Sequence, residues 1–245
     1  MTADVRVFAD ADALGEALAD EIIGAYEKRD SDPFLLGCPG GRSLRSTYRA
    51  LAKRRADLHR LVVVMMDEYV EDGGAPPADA QHSNKGFALR ELVEPLRLRP
   101  DQAWFPDVAD PAAYDERIAA VGGIDLFLLG SGASDGHVGF LPPDSPRDGR
   151  TSVVELAAST RRDNLATFPD FESVDHVPTH GVTVGLATIA DAQAVRLVLH
   201  GTEKRAATER VVSLDRFEPS WPASIVHDCA DGQILVDRAA MGETR

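Results

Sequence analysis

The sequence predicts an α/β fold: a single domain over residues 1–245, built on a mostly parallel sheet flanked by helices. Three observations predict it. Residues 33–36 (PFLL), 61–66 (LVVVMM) and 124–129 (IDLFLL) are near-continuous apolar runs, the pattern of strands buried on both faces. Each run ends in a glycine-rich or acidic turn, and helical stretches alternate with the strands, as parallel sheets require. Finally, 245 residues with 44% hydrophobic content and no evident boundary suffice for one large core.

The elements follow in order. Residues 5–8 read as a short strand. Asp10 or Asp12 caps a helix running to about Lys28, with Leu14, Leu18, Ile22 and Tyr26 on one face. The strand at 33–36 runs into Gly37-Cys38-Pro39-Gly40-Gly41-Arg42-Ser43, and a helix follows over 44–54. The strand at 61–66 ends in Asp67-Glu68-Tyr69. Residues 71–81 (EDGGAPPADAQ) have no periodicity and are the segment expected to move over a site. Helices are predicted over 83–96, ending near Pro95, and over 110–121, where Pro111 suits the first turn. After the strand at 124–129, residues 151–156 read as an edge strand and 160–168 as the start of a helix. A short strand and turn cover 181–187, a helical turn 188–192, and a strand 195–200. A helix then runs to about Leu214, and 224–227 and 234–236 read as short final strands.

Composition excludes several classes. Forty acidic residues against 26 basic ones give a net charge of −14, which argues against nucleic acid and anionic membranes as partners. No apolar run approaches 18 residues, and the N-terminus lacks the basic start and apolar core of a signal peptide. Cys38 and Cys229 are the only cysteines; two thiols give no disulfide framework and fit a reducing cytoplasm. No CxxC, HExxH or clustered His/Cys pattern suggests a metal site.

Three stretches carry chemistry. After the strand at 124–129 come Gly130, Ser131 and Gly132, then Asp135-Gly136-His137. Ligands of open α/β sheets collect outside the carboxyl ends of strands, and Asp135 is placed to orient or charge-stabilise His137. Alone, the tripeptide reads rather as a surface turn; the strand in front of it and the stretches matched elsewhere reverse that reading. The 40–43 turn leaves free N–H groups at a helix start, an anion site to which Arg42 adds charge and Ser43 a hydroxyl; a simple tight turn explains it as well. It is neither a Walker loop nor a GxGxxG fingerprint. Asp67 and Glu68, at the carboxyl end of a buried strand, fit an acid/base residue or a solvated loop with a helix cap.

Taken together, GCPGGRSLRSTYRAL (37–51), VVVMMDEYV (62–70), IDLFLLGSGASDGHVGF (124–140), VPTHGVTVGLATIADAQAV (177–195) and VLHGTEKRAA (198–207) resemble the glucosamine-6-phosphate deaminase (isomerase) family, in the superfamily that includes 6-phosphogluconolactonases. The resemblance implies a cytosolic, Rossmann-like sheet and no metal or organic cofactor. It implies Asp67 as the base that moves a proton between C2 and C1 of an open-chain sugar phosphate. It implies His137 as the group that helps open the ring, with Asp135 behind it. The phosphate would lie on Gly40, Gly41, Arg42 and Ser43 with Lys204. The expected partner is thus a small-molecule sugar phosphate, with further copies of the chain as an option.

The chain departs from the family pattern in five places. A glutamate stands in the family five residues after the motif histidine; here that triplet is Leu141-Pro142-Pro143, and Asp144 is two places late. Ala133-Ser134 lengthens the spacing before the motif by one residue. A phosphate-binding arginine of the family aligns near Ala166. Arg42 stands where the family has glycine, and Arg161 and Arg162 are further cations. Ser152 and Val154 occupy the region of the basic allosteric residues. The expected activity is aldose–ketose isomerisation with deamination of an amino sugar 6-phosphate. The alternatives are lactone hydrolysis on 6-phosphogluconolactone, with His137 activating water, and a non-catalytic sugar-phosphate-binding protein.

Overall fold

The computed structural model describes residues 2–29, 32–72, 74–168 and 171–243, the side chain of Ala166 excepted. Seven parallel strands form the central sheet in the order β1-β10-β9-β6-β2-β3-β5. They are β1 (Asp4–Phe8), β2 (Phe34–Cys38), β3 (Leu61–Met65), β5 (Ala103–Trp104), β6 (Leu126–Gly130), β9 (Val195–Leu199) and β10 (Gly232–Asp237). The continuous apolar runs have the predicted cause. Alternate residues of one strand enter different cores: Leu35, Phe127, Leu129 and Leu197 on one face, Leu36, Leu126, Leu128 and Val198 on the other.

Helices cover both faces. Among them are α1 (Ala11–Lys28), capped by Asp10, and α2 (Arg45–Arg54), which packs on it. Next come α3 (Asn84–Ala88), whose run continues through a π-helical segment into α4 (Glu94–Leu96), and α5 (Pro111–Ala120), capped by Asp110. They are followed by α6 (Ala158–Thr167), α7 (Leu186–Ala190), α8 (Arg205–Val212) and α9 (Arg238–Met241). Asp125, the one polar residue in its apolar run, is buried, accepts a hydrogen bond from Leu35 N at 2.7 Å and pairs with Arg29. It therefore ties the start of β6 to β2.

A second, antiparallel sheet of three strands stands beside the carboxyl end of the first: β4 (Asp67–Val70), β8 (His180–Thr183) and β7 (Ser152–Glu155), in the order β4-β8-β7. The edge strand expected at 151–156 is β7. Asp67, Glu68 and Tyr69 are not a loop but strand β4, paired with Thr183, Val182 and Gly181 far along the chain. Only Met66 separates β3 from β4; it donates to Cys38 O and accepts from Val184 N, one bond to each sheet's side. Asp67 is thus the first residue after the crossover.

The strand expected at 224–227 is instead part of a 3-10 helix, Pro222–Asp228. Pro222 sets a helical φ at its first turn, and Trp221 before it is outside the helical region, as a residue preceding proline tends to be. Four residues are too few for alternation to overrule that local choice. Among the described residues no helix is long and apolar enough to cross a membrane.

Candidate active site

A cavity of about 460 Å³ opens over the carboxyl ends of β2, β3, β6 and β9, with α6 as its far wall. It gathers Gly40, Gly41, Arg42, Ser43, Asp67, His137 and Lys204; Asp135 lies immediately behind His137. All eight residues singled out in the sequence therefore fall in one place. The expected moving segment does not: no described residue of 71–81 lines the cavity, whose wall is made instead by Asp163, Asn164, Thr167 and Phe168. Nothing in the sequence marks those four, because a mostly polar helix looks the same whether its side chains meet solvent or a cavity.

Asp67 sits at one end, only 5% exposed. Its Oδ1 accepts a hydrogen bond from the Asn84 side-chain amide at 2.7 Å. Burial, and then the charge of adjacent Glu68, push its carboxyl up to about 8. Glu68 is equally buried, and burial raises it too, but it accepts four hydrogen bonds: from the N–H groups of Tyr69, Asn84 and Lys85 and from the Ser83 hydroxyl. Glu68 thus anchors the start of α3 to β4.

His137 follows β6 through the turn. Its Nδ1 is 2.7 Å from Asp135 Oδ1 and 3.2 Å from the Thr160 hydroxyl, while Ser159 donates to the other Asp135 oxygen. Burial opposes the Asp135 charge, but the bond and charge of His137 and the bond from Ser159 outweigh it and hold the carboxyl well below its usual range. With Nδ1 engaged, Nε2 is the ring nitrogen without a partner among the described residues. Gly132 makes the geometry possible: a Cβ there would lie 2.3 Å from His137 Nδ1. Ser159 and Thr160 had no signal in the sequence beyond lying in a helix.

The 40–43 turn, also lining the cavity, leads into α2, whose N-terminus has no side-chain cap and no acidic residue in its first turn. Tyr48 holds the turn by donating to Pro39 O at 2.9 Å, and His200 Nε2 lies 3.1 Å from Ser43 O. The Arg42 and Ser43 side chains have no hydrogen-bond partner among the described residues, which leaves both available to a ligand. Lys204 donates to Ser131 O at 2.6 Å. Burial lowers its ammonium against the pull of Asp163, Glu203 and Asp135, and Arg42 adds to the lowering. Arg161 is committed elsewhere, donating to Val174 O and Val177 O. Asp144 is exposed and off the cavity, so it does not supply the carboxylate that Pro142 lacks. The side chain at 166 lies outside the described residues.

The sequence profile of the glucosamine-6-phosphate isomerases/6-phosphogluconolactonase family matches residues 9–236. The chain belongs to this family. Among its relatives, a glucosamine-6-phosphate deaminase of Beutenbergia cavernae is 36% identical over 234 residues, covering 91% of this chain and 86% of the relative. Another, of Bacillus pumilus, is 32% identical over 243 residues, covering 95% and 96%. A solved monomeric glucosamine-6-phosphate deaminase superposes with a TM-score of 0.87 at 25% identity, over 98% of this chain and 99% of that one. The 6-phosphogluconolactonase of Trypanosoma cruzi, 19% identical with a TM-score of 0.75 over 99% and 97%, shares the fold. The family resemblance read from five stretches is therefore correct, and with it the Rossmann-like α/β class. Among the described residues no cluster of three or more His, Cys, Asp or Glu is placed to hold a metal ion.

Proposed function

We propose that this cavity converts an amino sugar 6-phosphate, glucosamine 6-phosphate in the first place, to the ketose 6-phosphate and ammonia. One observation carries the reading: a buried carboxyl with proton affinity near neutrality, Asp67, shares a sugar-sized cavity with the 40–43 turn and the uncapped start of α2. Family membership and the names of the deaminase relatives support it.

The chemistry follows from the placement. His137, oriented by Asp135, passes the C1 hydroxyl proton to the ring oxygen through Nε2, and the ring C1–O bond breaks to give the open aldehyde. Asp67 removes the C2 proton, which the adjacent carbonyl acidifies, and the electron pair moves into an enolamine. Return of that proton to C1 leaves an imine at C2. Water adds to it and ammonia leaves, so one water is consumed for one ammonia released. A base poised near neutrality suits this shuttle better than an ordinary aspartate, which would hold the proton too weakly. The phosphate rests on the N–H groups of Gly40 and Gly41, the Ser43 hydroxyl, Arg42 and Lys204. That remote anchor places C2 against Asp67. Two buried free thiols suit a cytoplasmic setting.

One feature favours a second reading, hydrolysis of 6-phosphogluconolactone: Pro142 replaces the family glutamate, leaving His137 with Asp135 as its only carboxylate partner among the described residues. There His137 activates water and no carbon-bound proton moves. A panel of hexose and hexosamine 6-phosphates and the lactone, scored separately for ammonia, ketose and acid, decides between them. Ammonia with ketose is the expected outcome. Acid from the lactone alone selects the second reading, and binding without product selects a sugar-phosphate sensor.

A further inference from the structure

Asp67 has two oxygens, and its surroundings treat them differently. Oδ1 takes the Asn84 amide at 2.7 Å. Oδ2 has no hydrogen-bond partner among the described residues and stands beside Gly139, where a Cβ would come within 3.2 Å of it. Gly139 lines the cavity, so Oδ2 is the oxygen that meets a ligand. Asn84 is itself fixed. It is 4% exposed, its backbone N–H donates to Glu68 Oε1 at 3.0 Å, and it follows Ser83, whose hydroxyl caps α3 by accepting from Gly86 N. Its carboxamide oxygen packs against Gly40, in the space that a Cβ there would need, 2.3 Å from that position. A carbonyl oxygen accepts an amide N–H better than a carboxylic O–H oxygen does, so the Asn84 bond to Oδ1 favours Oδ2 as the protonated oxygen.

We infer that Asn84 is a positioning residue that confines the transferred proton to Oδ2 of Asp67, and that Glu68 holds Asn84 in place for that task through the start of α3. The inference rests on the proton-shuttle reading above. A carboxyl free to rotate would spend part of its time with the protonated oxygen turned away from the substrate carbon. An isolated helix cap predicts none of this, because Ser83 accepts from Gly86 N and Glu68 from the backbone N–H groups of Asn84 and Lys85, which leaves the Asn84 side chain unused.

The test compares wild type with Asn84→Leu, which keeps the volume and removes the donor, and with Asn84→Ala, which only removes atoms. Deuterium exchange at C2 of glucosamine 6-phosphate in heavy water is the readout, followed across pH. Loss of one charge-assisted hydrogen bond should lower kcat about tenfold to a hundredfold on the high-pH plateau. The acidic limb should move to higher pH by about one unit, because the lost N–H favoured the ionised form. KM should stay within about twofold, since the phosphate anchor is untouched. A folded variant with unchanged kcat and an unmoved limb overturns the assignment. Should neither variant fold, carboxyl carbon NMR of wild-type Asp67 decides: the assignment requires asymmetric titration with the proton on one oxygen, and a symmetric, rotating carboxyl overturns it. If wild type itself exchanges no C2 proton, the proton-shuttle reading fails and takes this inference with it; exchange in wild type that the variants match sinks this inference alone.

Discussion

The two ends of the cavity are built on opposite principles. The Asp67 end is dry and wired: a buried carboxyl, one amide on one oxygen, and behind it Glu68 with four donors. The proposed phosphate end is open: Arg42 is exposed, the Ser43 hydroxyl has no hydrogen-bond partner among the described residues, and α2 begins uncapped. Burial makes a proton affinity tunable, and so serves a group whose job is to exchange a proton. Exposure keeps an anion site accessible, with N–H groups and guanidinium ready to replace water around a phosphate. The second end is also less positive than its two cations suggest, because Asp163 and Glu203 line the same wall. Chemistry should therefore be lost all at once when the first end is changed, and affinity should fade by degrees when the second is.

The largest effect is expected from Asp67→Asn. C2 exchange should fall about a thousandfold or more, the upper range for a lost general base, while sugar 6-phosphate binding survives. In wild type, activity should rise with pH up to about 8, as Asp67 ionises. Stability should move the other way. The raised carboxyl means that between about pH 4 and 8 the native state keeps a proton that the unfolded chain has lost. Stability from this group is therefore full below about pH 4 and lost as pH rises through about 8. Asn84 and Glu68 remain in place in the variant, and asparagine does not titrate. The melting temperature of Asp67→Asn should thus gain on wild type across that window. A difference that does not change with pH would break the contrast between the two ends.

How far each end was legible in the sequence follows the same division. The phosphate end is local: glycines, an arginine and a serine between one strand and one helix state their purpose within a few residues, and the structure places them together. The Asp67 end is assembled from afar. Asn84 is 17 residues away and Thr183, its sheet partner, is farther still. Nothing in Ser83-Asn84 distinguishes a helix start from a helix start that also holds a base. The same limit hid strand β4, whose partners lie in β8, and the α6 wall, whose polar face resembles any solvated one. The continuous strands of the parallel sheet were readable because burial on both faces writes itself into every residue. The 3-10 helix at Pro222–Asp228 was not, because a run that short leaves proline to decide.

His137→Gln should come next, with about a hundredfold loss on the closed-ring substrate. His137 also lines the cavity, its Nδ1 2.7 Å from Asp135 Oδ1. If its work is ring opening, a substrate analogue locked open should suffer far less, and Asp135→Asn should repeat the pattern more weakly by losing the imidazole orientation. Equal losses on open and closed forms would move His137 to water activation and strengthen the lactone reading.

The smallest effect, and the sharpest probe of the open end, is expected from Arg42→Ala. Its guanidinium has no partner among the described residues, lines the cavity, and lies close enough to Lys204 to lower that ammonium. Arg engages phosphate bidentately whereas Lys acts as a point charge, so the pair divides the work between geometry and charge. A charge-assisted hydrogen bond contributes about 1.5–3 kcal/mol, so affinity for a sugar 6-phosphate should weaken about tenfold to a hundredfold. Affinity for the unphosphorylated sugar should not change, and neither should the pH of the acidic limb, which belongs to the other end. The rival account has Arg42 pairing with one of the many surface acids, a contact worth about 0–1 kcal/mol and indifferent to the ligand's phosphate. Arg161 is the internal control. Its guanidinium is spent on Val174 O and Val177 O, so Arg161→Ala should cost stability and leave phosphate selectivity intact. Titration of both variants with a sugar 6-phosphate and its parent sugar separates the two accounts. Unchanged phosphate selectivity in Arg42→Ala would leave Lys204, Ser43 and the α2 N-terminus as the whole anchor.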